Sequence, residues 1–179
     1  RLAFTLLYPD DAIHTEIARL LVADWQRVGI AVTPQAVALE KLMAEHLTPR
    51  AYQAALIDIN FSRTPDPDPY PFWHQSEATG GQNYSQWDNR SASEYLEQAR
   101  VTTDMGLRQR LYRNFQIIFQ RELPALLLYY PVYTYGVSRQ VQNVQIPPLY
   151  APEDRFAFLL TWSMNTRRVL IETTPTTIP

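Results

Sequence analysis

Cysteine is absent from the 179 residues, which excludes disulfides, thiolate nucleophiles and cysteine-held zinc. An excess of either charge is also missing. Sixteen Lys and Arg against eighteen Asp and Glu leave a formal net charge of −2, with no basic stripe for nucleic acid. No apolar run approaches the roughly 20 residues that a membrane-spanning helix needs. There is no glycine-rich phosphate loop, no G-x-S-x-G and no H-E-x-x-H. Histidine is scarce: His14, His46 and His74 share no metal-ligand spacing, and the two on predicted helices, His14 and His46, read as surface residues. A chain of this length can bury one core and reads as one domain.

What is present is concentrated between Asp58 and Asn89. This stretch holds four prolines (65, 67, 69 and 71), the pair Gly80-Gly81, two tryptophans and four aspartates. Proline removes ladder donors and fixes φ, so the stretch is predicted to be an ordered loop of tight turns. Before it the chain reads β-α-β-α-β, and after it come two helices and further extended segments.

Leu2 to Tyr8 is an apolar run closed by Pro9-Asp10, a buried strand. Asp10 or Asp11 caps a helix whose apolar spacing runs from Ile13 to Val28, with Gly29 as its terminator. Residues 30–37 form a second strand that Pro34 confines to an edge. Residues 39–47 form a short amphipathic helix. Residues 52–61 form a third strand, expected in the middle of the sheet. After the loop, Ser91 or Ser93 caps a helix that buries Tyr95, Leu96, Ala99 and Val101. Thr103-Asp104 starts another, with Leu107, Leu111, Phe115, Ile118 and Phe119 inward and Arg108 outward, ended by Glu122-Leu123-Pro124. Residues 126–130, 133–137, 141–146 and 156–162 read as extended, 147–154 as a loop, and the Thr/Pro-rich end as loose. The class is α/β, a mixed sheet flanked by helices.

The loop offers two kinds of chemistry. Asp66 and Asp68 could imitate a paired-carboxylate site, with His74 as a third group. The plainer account is that Asp before Pro organises turns through its own backbone. Calcium at D-P-D lacks the EF-hand spacing and its closing Glu. Binding is the better supported chemistry. Tyr70, Phe72, Trp73, Tyr84 and Trp87 stand among Gln82, Asn83 and two glycines, supplying flat apolar area and oriented donors. The competing account is a satellite core pinning the loop down, which is preferred for Phe72 and Tyr84 and is level with binding for Trp73. Arg63 follows a predicted strand and could meet a carboxylate, against the plainer reading of a solvated or internally paired arginine.

From the loop onward a longer series of residues has a known likeness. RTPDPDPYPFWHQSEATGGQNYSQWDN, then EQAR, then TTDMGLRQRLYRNFQIIFQRELPALLLYYPVYTYGVSRQVQNV resembles the extracellular solute-binding proteins of the dipeptide/oligopeptide/nickel class (family 5) of ABC transporters. The shared features are Asp66-Pro67-Asp68 with Tyr70 and Trp73 behind it, Gly81-Gln82-Asn83-Tyr84-Ser85, Asn89 before a helix, Arg108 with Leu111-Tyr112, and Pro124 with Leu128-Tyr129. Upstream, a helix bearing Trp25 precedes Gly29-Ile30, as in that family. The likeness spans roughly residues 2–162.

This resemblance implies a periplasmic-binding-protein-like lobe, type II, C-terminal domain, over residues 1–168, with 169–179 a flexible tail. It implies a ligand, peptide-like or another small solute, held in a cleft between two lobes that close by a hinge. It implies delivery to ABC permease subunits, a periplasmic or extracellular location that leaves open whether an upstream segment anchors the protein to the membrane, no cofactor, no nucleic acid and no enzymatic turnover. The N-terminal lobe is expected before Arg1, where the chain starts on a strand without Met, and the segment after about Ile146 is expected to pack on that lobe. The ligand-binding residues implied are Arg63, Thr64, Asp66, Asp68, Trp73, Asn83 and Tyr84. One position departs: where peptide-binding members often carry an Asp for the ligand's amine, this chain has Arg63, which cannot pair with an ammonium. Two other readings remain open at this stage, a sensor or adhesion module of the same fold, and a stand-alone α/β hydrolase-like enzyme using Asp66, Asp68 and His74.

Overall fold

A computed structural model describes residues 2–61, 66–149 and 151–164. These residues divide into two compact units, 2–61 with 66–127, and 128–149 with 151–164.

The first unit opens with β1 (Ala3–Pro9), α1 (Ala12–Arg27) and β2 (Ala31–Val37). Asp11 caps α1 by accepting from the amides of Ile13 and His14 at 2.9 and 3.0 Å. The helix is released by Gly29, whose φ of 85° is the left-handed value that glycine adopts without strain. A single helical turn, α2 (Leu39–Lys41), runs into a π-helical turn over Leu42–Leu47. β3 is only Ala54–Ala55. The strands are parallel in the order β2-β1-β3, so Pro34 stands on an edge strand as its chemistry requires.

The centre of the sheet is therefore β1, and not the segment 52–61. That segment pairs over two residues, with the Leu56 amide also donating to the Leu7 carbonyl at 2.8 Å. Below this point the Thr5 amide, which a longer strand would have engaged, is taken by the Gln53 side chain at 2.7 Å. A central strand is buried on both faces, and Leu6, Leu7 and Tyr8 obey that rule. Leu6 and Tyr8 pack with Ala18 and Val32, with Trp25 beside them. Leu7 points the other way, onto Leu42 and Leu47 of the π turn.

A third core cluster organises the loop and the helices after it. Helix α3 (Tyr70–Trp73) is followed by a 3-10 turn (Gln75–Glu77), then α4 (Arg90–Val101) and α5 (Met105–Glu122). Trp73, Trp87, Ala92, Leu96 and Phe115 are buried together. The cap of α4 is Asn89, accepting from the Ala92 amide at 2.9 Å, rather than Ser91 or Ser93. Ser93 is instead buried and accepts from the Gln75 amide at 3.1 Å, tying helix to loop. Val101 is exposed because it is the last residue of α4. Asp104 caps α5, and Leu123 ends it with a φ of 49° before Pro124. Arg108 is turned inward far enough to pair with Asp66.

The second unit has little regular structure. β4 (Val141–Gln142) and β5 (Ser163–Met164) form a two-residue antiparallel ladder. Residues 126–137, which run from the end of the first unit into the second, are described without a strand, and residues 156–162 lie in 3-10 and other turns (Pro152–Phe156, Leu159–Thr161) rather than in an extended run. Tyr135, Phe156 and Trp162 group together, with the Arg155 guanidinium over Tyr133, Tyr135 and Phe156. The boundary expected at 168/169 lies outside the described residues.

Candidate functional site

Helix α1 packs on one face of β1 and the π turn on the other. The connections from the central strand region thus cover opposite faces of the sheet, which leaves a crevice beyond the carboxyl end of β1, the place where open α/β sheets take ligands. A pocket of about 580 Å³ lies there. Its floor is Pro9, Asp10, Asp11 and His14 from the β1–α1 corner. One wall is Leu39, Leu42, Met43 and Leu47. The other is formed by Ile57, Asp58 and Asn60, with Phe72, Gln82 and Tyr84 from the loop. Apolar walls with a few polar groups are the usual composition of a small-molecule site.

His14 is the buried polar group of this floor. Its Nδ1 lies 2.6 Å from Asp11 Oδ2 and its Nε2 3.4 Å from Asp58 Oδ2, so one imidazole links the start of α1 to the segment after β3. The backbone amide of His14, opposed by desolvation and aided by the His14 side chain and the Ile13 amide, holds the Asp11 carboxyl below its usual range. Tyr84 is held from behind. Its carbonyl accepts the Tyr52 hydroxyl, and the Arg50 guanidinium stacks 4.9 Å from its ring centre. Desolvation pushes the Tyr52 phenol up, against the pull of Arg50.

The residues expected from the sequence fall into three groups. Arg63 and Thr64 lie outside the described residues. Tyr84 and, beside it, Phe72 line the pocket. The others organise the loop. Asp66 Oδ1 pairs with Arg108 at 2.7 Å. Asp68 pairs with Arg100 at 3.1 Å and accepts from the Tyr70 amide, also at 3.1 Å. Trp73 is buried edge-on to Phe119, with ring centres 4.8 Å apart. Asn83 is fully buried. Its Nδ2 donates to the His74 and Trp87 carbonyls (3.1 and 2.8 Å), and its Oδ1 accepts from Ser85 Oγ and the Trp87 amide (2.9 and 3.2 Å).

Asp66, Asp68 and His74 do not share a reaction centre. Each has its own partner, Arg108, Arg100 and Glu97 respectively, the last at 2.9 Å from His74 Nε2. His74 Nδ1 accepts from the Ser76 amide at 3.1 Å, and the ring stacks on Tyr70 at 4.0 Å. Among the described residues no group of three His, Cys, Asp or Glu could hold a metal ion, and no helix is long and apolar enough to cross a membrane.

Sequence reasoning missed His14, read as a surface residue, together with the corner Asp10-Asp11 and the wall from Leu39 to Leu47. The signal available was the position of Pro9-Asp10-Asp11 directly after the most apolar strand, since that end of a buried parallel strand is where sites form.

No family profile matches the chain. Individual proteins do. The chain is 27% identical over 138 residues to the dipeptide-binding protein of Escherichia coli (strain K12), covering 74% of this chain and 25% of that protein. It is 25% identical over 147 residues to the oligopeptide-binding protein AppA of Bacillus subtilis (strain 168), covering 74% and 26%. The structure of AppA in complex with a nonapeptide superposes with a TM-score of 0.68 at 21% identity, covering 92% of this chain and 32% of that one. An ABC transporter-associated periplasmic binding protein, DppA from Helicobacter pylori in complex with the peptide STSA, gives 0.61 at 20% identity, covering 69% and 24%. The chain thus resembles, in sequence and in fold, part of the dipeptide- and oligopeptide-binding proteins, and its fold is that of periplasmic binding proteins. It spans about a quarter of the length of the curated relatives it matches.

Proposed function

We propose that this chain is the C-terminal ligand-binding lobe of a solute-binding protein of an ABC importer, with its larger partner lobe supplied by the rest of the protein. The observation that carries the reading is the agreement of two likenesses. One is sequence identity to a dipeptide-binding and an oligopeptide-binding protein, and the other is superposition on a peptide-bound structure over 92% of the chain. The pocket at the carboxyl end of β1 supports it, because it opens where a second lobe could close over a solute. On this reading the protein is periplasmic or extracellular, works with membrane permease subunits and turns nothing over. Arg63 and Thr64 stand at the loop's start, beside the Asn60 wall of the pocket in sequence. Asp66, Asp68, Trp73 and Asn83 contribute by holding the loop, and Tyr84 by contact.

A free peptide amine is a poor anchor for a site with Arg63 at that point. A peptide held the other way round, a sugar or a carboxylate-bearing solute fits Arg63 better. The test is a thermal-shift screen of the intact protein against peptides, sugars, carboxylates and nickel chelates, since a ligand of the folded state alone raises the melting temperature. A shift with one class, lost in Arg63→Ala, is the expected result. No shift with any of them would count against solute binding.

A further inference from the structure

Two walls of the pocket come from segments remote in sequence, the π turn Leu42–Leu47 and the loop segment 81–84. One side chain joins them. Arg50 sits just beyond the π turn with a φ of 61°. Its Nη1 donates to the Leu47 and Thr48 carbonyls at 2.6 and 3.3 Å. Its Nη2 donates to the Gly81 and Asn83 carbonyls at 2.8 and 3.4 Å. Its plane lies over the Tyr84 ring, and Tyr52 adds the bond to the Tyr84 carbonyl. Arg50 Nε is buried without a partner, so the Nη contacts alone set the geometry of the group. The far end of the clamp is seated as well. A Cβ at Gly81 would come within 2.7 Å of the Glu77 backbone, so only glycine lets the loop lie that close.

Four carbonyls on two segments require a flat fork with donors on both sides, which arginine has and lysine lacks. We propose that Arg50 is a positioning residue. It fixes the distance between the π turn and Tyr84, and so sets the size of the solute group the pocket admits. This rests on the solute-binding reading above for its functional half, whereas the clamp itself does not.

The experiment compares wild type, Arg50→Ala and Arg50→Lys of the intact protein in two measurements. Hydrogen exchange at the amides of Asn83, Tyr84 and Gln86 reads the clamp without any ligand. It is expected to quicken on the order of tenfold in both variants, because the lost bonds are charge-assisted. Titration with trialanine and with triphenylalanine reads the pocket width. The affinity ratio is expected to move several-fold toward the larger peptide in both variants, with lysine failing to restore it. Unchanged exchange in Arg50→Ala would overturn the clamp. An equal loss for both peptides, reversed by lysine, would overturn the size-setting role and leave general support of the fold. A wild type that binds neither peptide would count against a peptide as the solute and would overturn the size-setting role for peptide side chains, while the exchange result would still decide the clamp.

Discussion

The two units of this chain differ in what they bury. In the first, Leu42, Leu47 and Leu96 are at most 1% exposed, and three separate clusters hold the sheet, the π turn and the loop. In the second, none of the described residues is buried, and Tyr130, Val132 and Leu160 are among its open apolar side chains. Apolar content alone therefore does not make a core. The first unit gives its sheet, its π turn and its loop facing layers, and the second consists largely of turns around one aromatic group.

The sharpest way to break this comparison is a matched pair of truncations. Leu42→Ala, in a site with no exposure, should destabilise by about 2–5 kcal/mol in urea unfolding. Leu160→Ala, fully exposed, should stay within about 0.5 kcal/mol when this chain is measured alone. A large loss for Leu160→Ala would mean that the second unit has a core of its own. Next in size is Asn83→Ala. It strips the Trp87 amide and the His74 and Trp87 carbonyls of a buried partner, and should lower stability by about 2–3 kcal/mol. A neutral result would show that the loop is held by its tryptophans instead.

The smallest effect is one of pH. Glu122 accepts from Trp87 Nε1 at 2.8 Å and from Asn89 Nδ2 at 2.9 Å, and these bonds, Trp87 first, hold its carboxyl below the usual range. A depressed folded-state pKa gives stability that is present above the unfolded value, about 4.3 for glutamate, and is lost as pH falls through the folded value. Tryptophan fluorescence of the first unit should therefore report loosening around Trp87 in acid, and Glu122→Gln should abolish that dependence. An unchanged acid profile in Glu122→Gln would remove Glu122 as its cause.

Much of the first unit was legible from local pattern. The run 2–8, the Asp-capped helix to Gly29, Pro34 on an edge, and the Asp104-to-Leu123 helix all follow from chemistry that neighbours in sequence can enforce. The failures share one cause. The segment 52–61 has strand composition, but it pairs over two residues only, and the Gln53 side chain takes the Thr5 amide beside them. Ser93 has capping chemistry, but its hydroxyl serves the Gln75 amide instead. His14 has the pattern of a surface residue, yet it is buried and its two ring nitrogens reach Asp11 and Asp58. In the loop, aspartates and aromatics that suggest a ligand site are mostly committed to each other's backbone and to the α4–α5 pair. Those outcomes depend on partners distant in the chain, which residue type and spacing do not reveal.

Pro34 also bears on how such a sheet can grow. In β2 the Ala31 amide reaches the Leu2 carbonyl and the Val37 carbonyl accepts from Asp10, so the odd-numbered residues face β1. Val32, Pro34 and Ala36 then face outward, and the missing amide falls on the free rim. A strand arriving from another molecule would find a gap in the donors there, one of the ways natural edges resist aggregation. The same residue that ends β2 as a donor row thus limits what can be added to the sheet on that side.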